Sequence, residues 1–434
     1  MRPSLRACAA ALALPFLVAA APAAPPVAGV DGGGGRAFVR ADPALPLAGI
    51  ALFVPAGLSR QSAGQDGLAA LVAEALLHEP VDGVALEDAV AARGGSIAYV
   101  ASAQYVRFYL EAQPQALAAL APLVARAFAK PAFEPAALAA ARDALGRRIA
   151  DNERDPRWVG LEMLRRSYYR DAAGTPALGT PASLAALDGA AARAFYAAWY
   201  ARGAALIASV GQTGAATAAA ARTIVAALPA GAAPAIAPVA VRPFGAQPKR
   251  MVTRRDVFAP YVVLGFAAPP LGDGDFAAAL VVRALITDVF EASTSATASP
   301  LFRPAGTIYG YDTAPAQLAV WLNGSRIDPT TALAGVDAVL KDAAAKPLAP
   351  ALLARYRETA RGAWALESVS LDERAFAIGN AAAQGLDAGA ADGVGAAISA
   401  VTAADVERVA KRWFRRFDVA LVLPRQSGDG GAGN

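Results

Sequence analysis

Gly67-Leu68-Ala69-Ala70-Leu71-Val72-Ala73-Glu74-Ala75-Leu76-Leu77 carries apolar residues at helical spacing with no breaker, which predicts a helix beginning near Asp66. On its N-terminal side, residues 36–41 and 47–54 read as strands. The second is an apolar run that ends at the turn residues Pro55, Ala56 and Gly57. On the other side, residues 85–92 repeat the helical pattern until Gly94-Gly95 stops it. Residues 96–101 and 105–111, rich in Tyr, Val and Phe, then read as two more strands, and 115–128 as an alanine-rich helix. The order is strands, helices, strands, helices.

Further on, 134–152 is strongly helical, with Pro135 in its first turn and Asp155-Pro156 at its end. Residues 185–200 are helical again, and 204–210 form a strand closed by Gly211. The segment 229–249 holds five prolines among Gly and Ala, which marks a linker between domains at 33–228 and 250–425. Beyond it, 252–266 reads as a strand pair and 275–288 as a helix. The ending, a helix at 401–414 and a strand at 418–423, parallels 184–210 and suggests a duplication. Residues 426–434 read as a flexible tail.

Composition narrows the function. Arg2 and Arg6 precede an apolar run at 7–20 and a small-residue stretch at 20–24, the layout of a signal peptide over 1–24. Export to the periplasm or the extracellular space is therefore expected, and no later stretch reads as a membrane span. Cys8 is the only cysteine and lies inside that leader, so neither a disulfide framework nor a cysteine metal site is available. A formal charge of +4 without a clustered basic run gives no sign of nucleic acid as a partner. About 410 residues after the leader exceed what one core usually organises, again favouring two domains.

Ala194-Phe195-Tyr196, Trp199-Tyr200 and the apolar strand ending in Gly211 resemble the segment that closes the first domain of pitrilysin- and insulinase-like zinc peptidases, the group of the mitochondrial processing peptidase. Gly57, Gly67-Leu68-Ala69, Gly94-Gly95, Phe133-Glu134-Pro135 and Leu178-Gly179-Thr180-Pro181 are similar to further landmarks in the same order, and the likeness spans roughly residues 33–425. It implies two related α+β domains, each a mostly antiparallel sheet packed against helices, joined by the Pro-rich linker and facing each other across a peptide-enclosing chamber.

The resemblance also implies where zinc would sit. Active relatives place His-x-x-Glu-His on the helix that Gly67 opens, with a carboxylate ligand on a later helix. Here the two His positions fall on Ala70 and Glu74, the general-base Glu on Ala73, and the distant carboxylate near Arg147 and Arg148. No frame shift restores the site, because His78 is the only histidine. His78 has no second His, Ser or Cys nearby to form a constellation, and reads as a helix-end residue bonded to backbone or water. No Gly-x-Ser-x-Gly elbow occurs. Asp151, Glu153 and Asp155 read as a solvated helix end, and the glycines at 32–35 as a flexible leader.

In the second domain, active assemblies use an Arg and a Tyr on the substrate carbonyl. Leu301-Phe302-Arg303 and Gly306-Thr307-Ile308-Tyr309 look like the flanks of that segment: Tyr309 matches the tyrosine, Ala305 replaces the arginine, and Arg303 is the available substitute. Tyr309 reads equally as a strand residue half buried in its sheet. The strand 96–101, with Ala98, Tyr99 and Val100, corresponds to the edge on which peptides pair through backbone hydrogen bonds. The expectation is a non-catalytic, metal-free subunit that binds peptides and forms a heterodimer with a zinc-bearing homologue. A self-associating, chaperone-like clamp and a hydrolase of unrecognised mechanism are the alternatives.

Overall fold

Each half of the chain inserts its last strand between two of its earliest strands. Residues 26–42, 45–232, 239–293, 305–310, 316–323 and 329–425 are described in the structure, a computed structural model. The leader at 1–24, Arg303 and the tail at 426–434 lie outside them. The first half runs β1 (Ala28–Gly32), β2 (Gly35–Ala41), β3 (Ala48–Val54), α1 (Leu68–His78), a small ribbon of β4 (Pro80–Val81) and β5 (Val84–Ala85), α2 (Leu86–Ala91), β6 (Gly95–Ala101), β7 (Val106–Ala112), α3 (Leu117–Ala129), α4 (Pro135–Arg154), α5 (Pro156–Tyr168), α6 (Pro181–Ala186), α7 (Gly189–Trp199), β8 (Leu206–Gly211) and α8 (Ala215–Ala227). The second runs β9 (Arg250–Arg255), β10 (Tyr261–Ala268), α9 (Phe276–Ser293), β11 (Ala305–Gly310), β12 (Ala316–Asn323), α10 (Pro329–Ala345), α11 (Pro350–Leu366), α12 (Leu371–Ala383), α13 (Val394–Ala400), α14 (Ala403–Trp413) and β13 (Phe417–Pro424).

The sheet orders are β1-β2-β8-β3-β7-β6 and β11-β12-β10-β13-β9. Without β1, both follow one scheme: first strand, last, second, fourth, third. In each, the last strand is parallel to the first and antiparallel to the second, and the remaining pairs are antiparallel. The expected α+β architecture of two related sheets with helices is therefore present, and the shared strand order carries the duplication. The strand pairs expected at 36–54 and 252–266 are corrected: β8 separates β2 from β3, and β13 separates β9 from β10.

Two local readings also change. The glycines at 32–35 form a hairpin turn, because Gly33 (φ 64°) and Gly34 (φ 105°) both take the positive φ that a tight two-residue connection needs. Asp155-Pro156 ends α4 but at once opens α5: Pro156 sits in its first turn and the Asp155 carboxylate accepts from the Arg157 amide.

All seven residues of β3 are buried, and their alternation explains how. Ala48, Ile50, Leu52 and Val54 join the core under the first-half helices, whereas Ala51 and Phe53 point to the other face and meet Leu371, Ala375 and Ile378 of α12. β10 does the same: Val262, Leu264 and Phe266 face their own helices, and Val263 meets Leu164 of α5. Each half thus lends one helix to the outer face of the other's sheet. Tyr105 donates to Asn380 Oδ1 (3.3 Å) and Tyr168 to the Ala316 carbonyl (3.0 Å) across these contacts. No helix among the described residues is long and apolar enough to cross a membrane.

A Cβ on Gly379 of α12 would lie 2.1 Å from the ring of Phe53, which is buried and held edge-on by Tyr105. Gly362 of α11 has open space around it. Overpacking costs about 1–3 kcal/mol, more than the roughly 1 kcal/mol that alanine gains over glycine in a helix. Gly379→Ala should therefore lower the unfolding free energy in urea and Gly362→Ala raise it; equal shifts of one sign would disprove the close contact.

Candidate functional site

The degenerate metal position is built on α1, β6 and α4. Gly67 (φ 89°) opens α1 and lies against Gly179: a Cβ on it would meet Gly179 Cα at 2.7 Å. Two separate sequence landmarks are thus one close backbone contact, fixed further by Ser183 Oγ donating to the Asp66 carbonyl (2.8 Å). At the other end of α1 the buried carboxylate of Glu79 accepts from the amides of Ala132 (3.2 Å) and Phe133 (2.7 Å). It holds the turn that launches α4, and so sets where Arg148 arrives.

Ala70 and Ala73 are fully buried methyl groups in the helix core. Glu74 is 7% exposed, and its Oε2 accepts from the Tyr99 hydroxyl (2.8 Å) and from Arg148 Nη1 (3.2 Å). The same Nη1 lies 2.9 Å from the Tyr99 hydroxyl, and the guanidinium carbon sits 5.2 Å from the centre of the tyrosine ring. Glu74 Oε1 is 3.4 Å from His78 Nε2, while His78 Nδ1 reaches Glu87 Oε1 at 3.1 Å. His78 therefore sits at ion-pair distance from two carboxylates, a placement the sequence reading did not give it. Arg147 is exposed.

Burial alone would push the Glu74 carboxyl up, but His78, Tyr99 and Arg148 together outweigh it and hold the group below the usual carboxylate range. The Glu74 carboxylate beside it raises His78 against the opposing effect of burial, with Glu87 and Asp88 adding to the rise. Burial, followed by Glu74, pushes the Tyr99 phenol far up, so it stays neutral and donates.

These residues do not fit zinc. One imidazole position is a methyl group, the other is a carboxylate whose oxygens are already engaged, and the distant carboxylate has become a cation. Among the described residues, no group of three or more His, Cys, Asp or Glu is arranged to hold a metal ion. At the position that activates water in the active relatives, Ala73 has no proton acceptor.

β6 pairs only with β7 and is the end strand of the described sheet. Its alternation turns Tyr99 inward and Ala98 and Val100 outward, Val100 being 51% exposed. Of the residues expected at a peptide edge, Tyr99 thus offers backbone alone. Tyr309 of β11 is 8% exposed, donates to the Pro269 carbonyl (2.6 Å) and packs 5.3 Å from the Phe276 ring centre. It occupies the buried-sheet position foreseen as its alternative role. What the sequence reading missed was a usable signal: Leu138, Ala141 and Leu145 are buried, and Arg148 continues their spacing, which separates it from Arg147.

Two sheets of one topology, each roofed by helices, with an ion pair on the helix where a metal would be bound, define a peptidase-like α+β protein. Residues 36–181 match the family described as insulinase, peptidase family M16. Over those residues the chain resembles this family. In fold it is similar to the peptidase M16 inactive domain from Pseudomonas fluorescens, with TM-score 0.72, 19% identity, and coverage of 92% of this chain and 98% of that one. It is similar also to a protease from Helicobacter pylori (0.75, 14%, 92% and 100%) and to a chain of complex III2 from Candida albicans (0.73, 15%, 92% and 96%). No curated protein sequence matches it.

The network has a definite pH signature. His78 is raised, so its contribution is complete below about pH 6.5 and is lost as pH rises through the folded-state value. Glu74 is lowered, so its contribution is present above about pH 4.5 and is lost as pH falls through the folded-state value. In urea unfolding across pH, the stability gap between wild type and His78→Gln should be widest near pH 5.5 and narrow by about pH 8.5. A gap independent of pH would rule out a charged His78 in the folded state.

Proposed function

We propose that this chain is an exported, non-catalytic member of the M16 family that binds extended peptides and pairs with a zinc-bearing homologue in the cell envelope. The observation that carries the reading is the placement of Arg148 on Glu74: a cation sits where the chemistry of the active members needs a dication and an open coordination position. The free end strand β6 supports peptide binding, because backbone pairing needs no catalytic side chain. Among the similar structures, one is named an inactive domain and another belongs to a multi-chain complex, which supports a non-catalytic subunit. The leader at 1–24 supports export. No metal cofactor is needed for this role.

The test is zinc content and peptide cleavage of the purified chain lacking its leader, alone and mixed with a His-x-x-Glu-His homologue from the same source. Zinc at background, no cleavage alone, and complex formation with cleavage in the mixture are expected. A stable self-associated form that binds peptide and ignores the homologue would favour the stand-alone clamp. Stoichiometric zinc with cleavage by the chain alone would sink the proposal.

A further inference from the structure

The duplication is incomplete at its last helix. Beyond the shared strand order, α1, α3, α4, α5, α6 and α7 match α9 to α14 in sequence order. α8, which follows the last strand of the first half, has no counterpart: among the described residues no helix follows β13. In the first half α8 packs on α3 beside β8, and its Ala220, Ala221, Ile224 and Val225 enter the core. Its C-terminal carbonyls are held by Arg202, three residues after Trp199 of α7. Arg202 Nη2 donates to the Ala226 carbonyl and to that of Leu228 (3.1 Å). A cation at the C-terminal end of a helix satisfies its orphan carbonyls and complements its dipole.

The matching space in the second half, between α10, the end of α14 and the β9–β13 pair, is a cavity of about 680 Å³. Leu333, Leu340, Phe414 and Val419 lie beneath it as an apolar floor. Val252, on the same face of β9 as Arg250, is 57% exposed. Arg416 stands three residues after Trp413, as Arg202 does after Trp199, but has no helix end to hold and reaches only the Phe244 carbonyl at 3.4 Å. Five cations and one carboxylate line the cavity. Lys341 pairs with that carboxylate, Asp337, and Lys411 with Glu407 one turn away. Arg250, Arg415 and Arg416, all exposed, are left without an anionic partner among the described residues. Residues 426–434 cannot stand in for α8, since they hold four glycines, one carboxylate and no Leu, Ile or Val.

We propose that this face docks an acidic amphipathic helix of another protein, seated as α8 is seated on the first half. The helix lays a small apolar face on α10 and β13, brings its C-terminal carbonyls to Arg416, and sets Glu or Asp side chains against Arg250 and Arg415. The duplication supplies the shape of the occupant, and the three unpartnered arginines supply its charge. The site is separate from β6 and rests neither on peptide pairing there nor on a zinc-bearing homologue.

The experiment uses the chain without its leader and, as probe, a fluorescein-labelled peptide of residues 215–228 carrying Ala216→Glu, Ala219→Glu and Arg222→Glu. The peptide is hydrocarbon-stapled, because a free helix of this length is marginal in water. Fluorescence anisotropy should show saturable binding, and the same peptide with lysine at those three positions should bind at least tenfold more weakly. Arg250→Glu with Arg416→Glu should weaken the glutamate peptide by about tenfold, the scale of two exposed ion pairs reversed. Lys130→Glu with Arg154→Glu, an equal change of net charge on exposed residues of the first half, should leave it unchanged. No binding, equal affinity for the two peptides, or equal loss in the two double variants would overturn the site. An affinity that rises when residues 426–434 are removed would give the face to the chain's own tail. A dimer broken by the Arg250 and Arg416 changes would give it to a second copy, and binding to phosphatidylglycerol vesicles broken by them would give it to a lipid surface; each would overturn the helix. None of these readouts depends on zinc, cleavage or β6, so the proposed function stands or falls separately.

Discussion

The exchange of one helix between the halves is the constraint on which the rest of the structure depends. β3 and β10 are apolar on both faces, and a sheet with two apolar faces needs two covers. Each half builds only one cover from its own helices. The second comes from the other half: α12 closes the outer face of the first sheet, and α5 that of the second. Both contacts are made close by a glycine, Gly379 against Phe53 and Gly160 against Val263, whose missing Cβ leaves room for the opposing side chain. Polar links add direction: buried Ser167 Oγ donates to Asp418 (3.2 Å), and half-buried Arg374 pairs with Asp42 (2.5 Å). Neither sheet could be solvated on its outer face without exposing large side chains such as Phe53 and Leu206.

With both faces sealed, the degenerate metal position becomes a question of buried charge. Glu74 sits among Leu71, Ala75 and other fully buried neighbours of α1, where an ionised carboxylate requires a counter-charge. Removing one partner of a buried pair costs about 3–5 kcal/mol, and the 46% exposure of the Arg148 side chain brings its own case below that range. That is still more than a surface pair contributes, so Arg148 is tied to its place. The guanidinium satisfies the carboxylate and the phenol together. The ligand position at Ala70 and the general-base position at Ala73 are filled by packing.

Much of this was legible in the sequence where one residue pattern had one physical meaning. The apolar run at 47–54 gave a strand because nothing in it breaks, and its lack of alternation already implied burial on both faces. The landmarks Gly67 and Gly179 could be recognised separately, whereas their mutual contact is a product of tertiary structure. Strand neighbours were misread at 36–54 and 252–266 because local pattern carries no information about a strand arriving from more than a hundred residues away. Helix α5 was hidden by Pro156, which reads as a stop until its position after a capping Asp is considered. At the site, the identities that exclude zinc were plain, but the bridge from His78 to Glu87 follows no helical or strand period. Tyr99 could have been turned inward by counting alternation from Ile97.

The edges of the two sheets differ in a way that bears on function. An exposed edge invites pairing with another chain, and proteins commonly block it with charge. β9, at one end of the second sheet, carries Arg250, Arg254 and Arg255 among its six residues. β6 and β11, at corresponding ends of the two sheets, carry no charged residue. Val100 and Ile308 instead stand half exposed on them. Helices have closed the faces of both sheets over their central strands, so the backbone groups of β6 and β11 are where either sheet can still be extended. Among the described residues nothing covers either edge, and such an edge is a hazard that an extended ligand would remove.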